Sequence, residues 1–244
     1  MGINTDVLHA LKYGDLTVRG EFLWGSNYTF LAIIDCESLS LKGVYKPSRG
    51  ERPLWDFPAA TLARREVAAF LVSEALGWNL VPPTVYRKNG PLGAGSLQLF
   101  IEHDPTKHYF NFPDEDHQRL RPVVLFDLLI NNADRKGSHI LFDQKNRLWC
   151  IDHGLCFHVE DKLRTVIWDF VGEPIPDRFC TDLIAFKQHL QGPGGSSDSL
   201  TAKLTPYISR TEINALVSRA GWFSEQGYFP APDPGRRPYP WPQI

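Results

Sequence analysis

The sequence predicts an α+β protein in two lobes, strand-rich with one main helix in the first and mostly helical in the second. Three observations predict it. Strand-like runs crowd the stretch 16–101 around a single long helical run. After His103-Asp104-Pro105 the pattern turns to helical spacing. Two acidic loops, Asn132-Ala133-Asp134-Arg135 and Ile151-Asp152-His153-Gly154, then adjoin short apolar strand-like runs. Regular crossover helices between the strands are missing, so an alternating strand–helix sheet is not expected. The expected division is an N-terminal lobe over 1–103, a C-terminal lobe over 104–226 and a Pro- and aromatic-rich tail over 227–244.

In chain order, 7–12 reads as a short helix, and 16–22, 28–35 and 41–45 read as strands. Trp24-Gly25-Ser26-Asn27 joins the first two, with small residues suited to a hairpin tip. A polar loop, 47–58, leads to a helix over 61–76 that Thr61 can cap and Gly77 ends. Its Leu62, Val67, Phe70, Leu71 and Ala75 fall roughly on one face. An edge-like strand at 81–86, a turn at 90–95 and a strand at 96–101 complete the first lobe. The second lobe opens with a long helix over 115–131, broken or offset near Pro122. Strands at 140–142 and 148–151 follow, then helices over 181–190 and 209–220. The stretch 192–197 has linker chemistry, and the tail is expected to be irregular.

The length of 244 residues is enough for one large domain or two lobes sharing a cleft. A balance of 26 Lys+Arg against 28 Asp+Glu gives no basic excess for nucleic acid and no polybasic membrane patch. The first residues lack the basic head and apolar core of a signal peptide. The longest apolar run, 123–130, is too short to span a bilayer and is interrupted by Asp127. Four cysteines are few for this length, so reduced thiols and a cytoplasmic location are expected. Arg64 and Arg65 read as surface charges. Cys150, His153, Cys156 and His158 have compact ligand-like spacing, but Cys150 falls in an apolar strand, so packing is expected instead.

The two acidic loops suit phosphoryl transfer, in which one carboxylate orients an attacking hydroxyl and another holds a divalent ion against nucleotide phosphates. Lys46 ends an apolar strand, and Glu66 lies on the first long helix; such a pair can hold an ammonium against phosphates. Gly25, Ser26 and Asn27 could cover phosphates with backbone N–H groups.

Five runs occur together: Val44-Tyr45-Lys46-Pro47, Asn79-Leu80-Val81-Pro82-Pro83-Thr84, Gly95-Ser96-Leu97-Gln98-Leu99-Phe100-Ile101-Glu102, Asn132-Ala133-Asp134-Arg135 and Ile151-Asp152-His153-Gly154-Leu155. In these runs and their order the chain resembles the phosphatidylinositol 3-/4-kinase superfamily over roughly residues 20–180. It looks closest to the type II phosphatidylinositol 4-kinases and a small bacterial kinase-like family. The resemblance implies a protein-kinase-like fold that binds ATP with Mg²⁺ or Mn²⁺ between its lobes. It implies transfer of the γ-phosphate to a hydroxyl of a lipid, a small molecule or a protein. Lys46 would contact the phosphates with Glu66 as its partner, and backbone at Phe100 and Ile101 would bind adenine. Asp134 would orient the acceptor hydroxyl, Arg135 would stabilise the loop or the developing charge, and Asp152 would bind the metal.

His139 stands where the family usually has an asparagine as second metal ligand, and imidazole suits softer ions than Mg²⁺. That departure motivates two other readings, a pseudokinase-like module that holds nucleotide or a partner and transfers nothing, and a kinase fold that transfers AMP. The stretch 157–176, with Trp168 and Phe170, stands where the lipid kinases carry a membrane-facing segment. It leaves peripheral membrane contact open, although the cysteine-rich palmitoylation stretch is absent.

Overall fold

A computed structural model describes residues 5–22, 28–192 and 198–244. Five strands form one antiparallel sheet in the order β1-β2-β3-β5-β4. They are β1 (Asp15–Glu21), β2 (Phe30–Cys36), β3 (Leu39–Pro47), β4 (Thr84–Arg87) and β5 (Gly95–Leu99). Side chains alternate across a strand, and β3 uses this directly. Tyr45 joins Ala32, Ile34 and Leu97 in a small core covered by Leu11 of α1 (Thr5–Tyr13). Lys46 therefore emerges on the other face. There β5 approaches closely, and a Cβ at Gly95 would collide with the Lys46 carbonyl. The Gly25-Ser26-Asn27 tip expected to cover phosphates lies outside the described residues.

Helix α2 (Leu62–Ala75) lies between the sheet and the helical lobe. This position explains two departures from expectation. Its burial is not confined to one face: Leu71 and Ala75 are only half-buried, whereas Arg65 and Glu66 are buried. Thr61 does not cap it either, because its backbone is already helical and its hydroxyl donates to the Pro58 carbonyl at 2.6 Å. The Glu51 carboxylate does so instead, accepting from the Leu62 and Ala63 N–H groups at 3.1 and 2.9 Å.

The expected long helix is two, α3 (Asp114–Gln118) and α4 (Arg121–Ile130), with the break at Arg119-Leu120. Pro122 sits in the first turn of α4, where its missing N–H costs nothing. Every residue from Val123 to Ile130 is buried, and the helix stops at Asn131 in left-handed conformation (φ 54°). A short hairpin follows, β6 (Ile140–Phe142) with β7 (Leu148–Cys150). The lobe closes with α5 (Asp177–Gln191), α6 (Leu200–Leu204) and α7 (Arg210–Gln226). Five-residue α6 is too short to leave a periodic pattern in the sequence. Phe70 and Val72 of α2 share the main core with Leu125, Phe186 and Leu216, so the two lobes are welded through α2.

The tail is irregular, but it is tied down. Its Phe229 is buried against Phe170 at 5.8 Å, and the Pro238 and Gln243 carbonyls accept from Thr165 and Gly137 at 3.0 and 2.8 Å. Among the described residues, no helix is long and apolar enough to cross a membrane.

Candidate functional site

At the seam between the lobes, Lys46 Nζ contacts Glu66 Oε1 and lies 2.8 Å from Asp152 Oδ1. Glu66 is buried, and its other oxygen accepts from the His153 N–H at 2.9 Å. One glutamate on α2 thus fixes both the strand lysine and the loop after β7. Burial opposes the Lys46 charge, but Asp152 and Glu66 outweigh it and hold the ammonium above its ordinary range. Burial pushes the Glu66 carboxyl up, with Lys46 opposing.

The Asp152 side chain is 48% exposed, on a left-handed backbone (φ 61°) that few non-glycine residues adopt. Burial works against its ionisation, but Lys46 and then His139 overcome that and hold the carboxyl far below the usual range. Asp134 shares the site. Burial raises its carboxyl to about 6, with Lys136 (Nζ 3.6 Å away) opposing the rise and the Asp152 charge adding to it. Lys46, Glu66 and Asp152, drawn from β3, α2 and the loop after β7, therefore meet at one place, and Asp134 lies near enough for the Asp152 charge to act on it.

A family model for phosphatidylinositol 3- and 4-kinases matches residues 62–201. Protein Rv2133c of Mycobacterium tuberculosis is 41% identical over all of this chain and 98% of its own length. The chain belongs to the phosphatidylinositol 3- and 4-kinase family. It is also 33% identical to phosphatidylinositol 4-kinase gamma 4 of Arabidopsis thaliana over 38% of this chain and 21% of that protein.

Solved structures agree on a kinase-like fold. Fam20 of hydra, solved with sugar, superposes with a TM-score of 0.53 at 15% identity over 91% of this chain and 87% of that one. The Golgi casein kinase with Mn/ADP bound gives 0.54 at 14% identity over 91% and 74%. The Helicobacter pylori proinflammatory kinase CtkA gives 0.53 at 10% identity over 89% and 94%. Together these findings make the chain a kinase-like phosphotransferase. They do not favour a module that only holds nucleotide or an enzyme that transfers AMP.

Around this kinase-like centre the remaining expected residues fall unevenly. Arg135 does not face the seam. It is wholly buried, and its guanidinium donates to both Asp127 oxygens at 2.8 Å, to the Ile151 carbonyl at 2.9 Å and to His153 Nε2 at 2.8 Å. The expectation that it meets developing charge is thereby corrected, since every donor already points into the protein. The companion reading, a brace for the loop, fits this placement. Asp127 also accepts from Asn132 Nδ2 at 2.9 Å, and Asn132 Oδ1 accepts the Asp134 N–H at 3.0 Å. Asp127 is thus the anchor of the Asp134 loop. Sequence reasoning saw it only as an interruption, although a lone charge in an otherwise apolar helix is the signal of a buried partner.

His139 does lie beside Asp152, with Nε2 3.4 Å from Oδ2, and burial lowers it to about 4, so the ring is neutral. Its Nδ1 faces the Lys136 N–H at 3.5 Å, which puts the ring proton on Nε2. In that tautomer it offers Asp152 a donor, and it would need to move the proton to bind a cation. Among the described residues no three metal-capable side chains form a cluster, the Cys150, His153, Cys156, His158 spacing included. Cys150 and Cys156 are buried, and burial pushes the Cys150 thiol up to about 12.

At the end of β5, the Phe100 N–H is committed to the Lys42 carbonyl at 3.0 Å, and the Ile101 carbonyl accepts from His103 at 2.7 Å. The peptide group between the two residues remains, and its C=O and N–H point opposite ways. That peptide group is the part of the Phe100-Ile101 backbone left for a ligand edge. Arg65, expected at the surface, is buried and bonds Glu212 and the Cys156 carbonyl, both at 2.6 Å. Phe170, in the stretch expected to correspond to a membrane-facing segment, is buried in the core.

Proposed function

We propose that this kinase-like protein uses ATP and a divalent cation to phosphorylate a hydroxyl group. The meeting of Lys46, Glu66 and Asp152, with Asp134 near enough for the Asp152 charge to act on it, carries this reading. Lys46, held charged by Glu66, binds the nucleotide phosphates. Asp152, with its half-exposed carboxylate, is the residue that would hold Mg²⁺ or Mn²⁺, both of which suit oxygen donors. An ion held there would supply neutralisation of charge on the phosphates. The Phe100-Ile101 peptide group meets the adenine edge. Asp134, whose raised carboxyl is still ionised at pH 7, accepts the hydroxyl proton as the new O–P bond forms and the bond from the γ-phosphorus to ADP breaks. Arg135 acts through the loop it braces. The Golgi kinase solved with Mn/ADP supports the pairing of nucleotide with metal.

The test is transfer from ATP labelled at the γ- or α-position, in Mg²⁺ and in Mn²⁺, to lipid, small-molecule and protein acceptors. Label should move only from the γ-position, and Asp152→Ala should abolish it. Transfer of α-label, or undiminished transfer by Asp152→Ala, would overturn the proposal.

A further inference from the structure

Beside the Asp134 carboxylate stands a second lysine that the proposed transfer does not use. Lys136 follows the Asp134-Arg135 pair on extended backbone (φ −93°, ψ 163°), and Arg135 forms a parallel bridge with Thr165. Side chains alternate along such backbone. Arg135 turns into the core, so Asp134 and Lys136 emerge together on the other side, and Lys136 Nζ lies 3.6 Å from Asp134 Oδ2. The backbone is pinned at this point. The Gly137 N–H donates to the Gln243 carbonyl at 2.8 Å, and the His139 N–H donates to the Lys136 carbonyl at 3.2 Å. The Lys136 and Asp134 side chains are 18% and 27% exposed, so both can be reached from solvent. The Lys136 charge acts on His139 together with those of Asp152 and Lys46, which sets it in the same centre.

The two lysines are engaged very differently. Lys46 is bound by the Glu66 and Asp152 carboxylates, the latter at 2.8 Å. Lys136 has a single charged partner among the described residues, Asp134, and that one lies beyond ordinary hydrogen-bond length. An ammonium carries three N–H donors, so Lys136 has capacity to spare. The γ-phosphate must come within bonding reach of the hydroxyl that Asp134 orients, and there the carboxylate repels it. Of the cations that act on Asp134, Lys136 has the larger influence and Arg164 the smaller. A cation at that spot offsets the repulsion and can bond phosphoryl oxygens directly. We propose that Lys136 is a second phosphate-binding residue, which donates to the γ-phosphoryl oxygens beside the acceptor hydroxyl. It keeps its protons and forms no covalent bond in the transfer. The assignment rests on the ATP-using reading given above.

Calorimetry on the full chain with ATP, ADP and Mg²⁺ tests it. The parent should bind ATP more tightly than ADP. Lys136→Met should weaken ATP about tenfold and change ADP by less than about twofold, the loss of one charge-assisted bond to the γ-phosphate. Lys136→Arg keeps the charge and should retain the preference for ATP. The same loss should appear when Lys136→Met is added to Asp134→Asn. An unchanged preference in Lys136→Met, an equal loss of ATP and ADP, or loss of the preference in Lys136→Arg would each overturn the inference. So would a loss that vanishes in the Asp134→Asn background, because Lys136 would then serve only to neutralise that carboxylate. Failure of the parent to bind either nucleotide is a distinct result, which would overturn the ATP-using reading itself and this inference with it.

Discussion

The charged groups at the seam and those just behind it come from neighbouring residues yet lead opposite lives. Asp134, Asp152 and Lys46 are partly open and have bonding capacity left over, whereas Arg135, His153 and Asp127 are sealed in. The chain makes this division within adjacent pairs. Asp134 faces the seam while Arg135 faces the core, and Asp152 faces the seam while His153 turns inward to Arg135. On α2, Glu66 serves Lys46 while Arg65 ties the helix to α7 through Glu212. The lesson is that one residue of each pair is spent on holding its neighbour in place. The open carboxylates can remain underused because Arg135 and Asp127 behind them are fully engaged with each other and with the loop backbone.

The largest effect should come from breaking the buried set. Arg135→Met leaves the Asp127 carboxylate buried without its cation and should cost about 3–5 kcal/mol in urea denaturation, with turnover lost through the loop. Retention of full stability would show that the network is ornamental. On the open side, Asp134→Asn should do the reverse. Turnover should fall by about 10²–10⁴ while nucleotide affinity is nearly kept. Its stability should change with pH in a defined sense. An unfolded aspartate titrates near ~3.9 and the folded Asp134 near 6, so this group's contribution is whole below pH ~4 and lost as pH rises through 6. Asp134→Asn should therefore be about 1–2 kcal/mol more stable than the parent at pH 7.5 and no more stable at pH 4, as thermal unfolding at both pH values would reveal.

A smaller effect should follow from removing 238–244, which strips the Thr165 and Gly137 N–H groups of their carbonyl partners on either side of the Asp134 loop. Turnover should drop about fivefold, the worth of roughly one hydrogen bond, with the KM for ATP moving less. The smallest is Glu51→Gln, which should weaken the start of α2 by about 0.5–1 kcal/mol and leave turnover alone.

Much of the fold was legible because strands and amphipathic helices write their period into neighbouring residues. The order of strands, the position of α2 and the two acidic loops are local facts of that kind. The residues that brace the site are not. Arg65 meets Glu212 across 147 positions, and Glu51 caps a helix that begins at Leu62. A charged side chain reads the same in sequence whether it is solvated or buried beside a distant partner, so Arg65 looked like surface. The strand expected to run to Ile101 ends at Leu99, and which N–H and C=O groups of Phe100 and Ile101 were spent depended on Lys42 and His103. The tail, without periodicity, gave no hint that its carbonyls reach the loops around Asp134.

The central claim is that Asp152 belongs to the open set and holds the nucleotide's metal. Calorimetric titration of ATP into the protein and into Asp152→Ala, with and without Mg²⁺ or Mn²⁺, tests it most directly. The account predicts that metal strengthens ATP binding in the parent and has little effect in Asp152→Ala. Equal strengthening by metal in both proteins would contradict it.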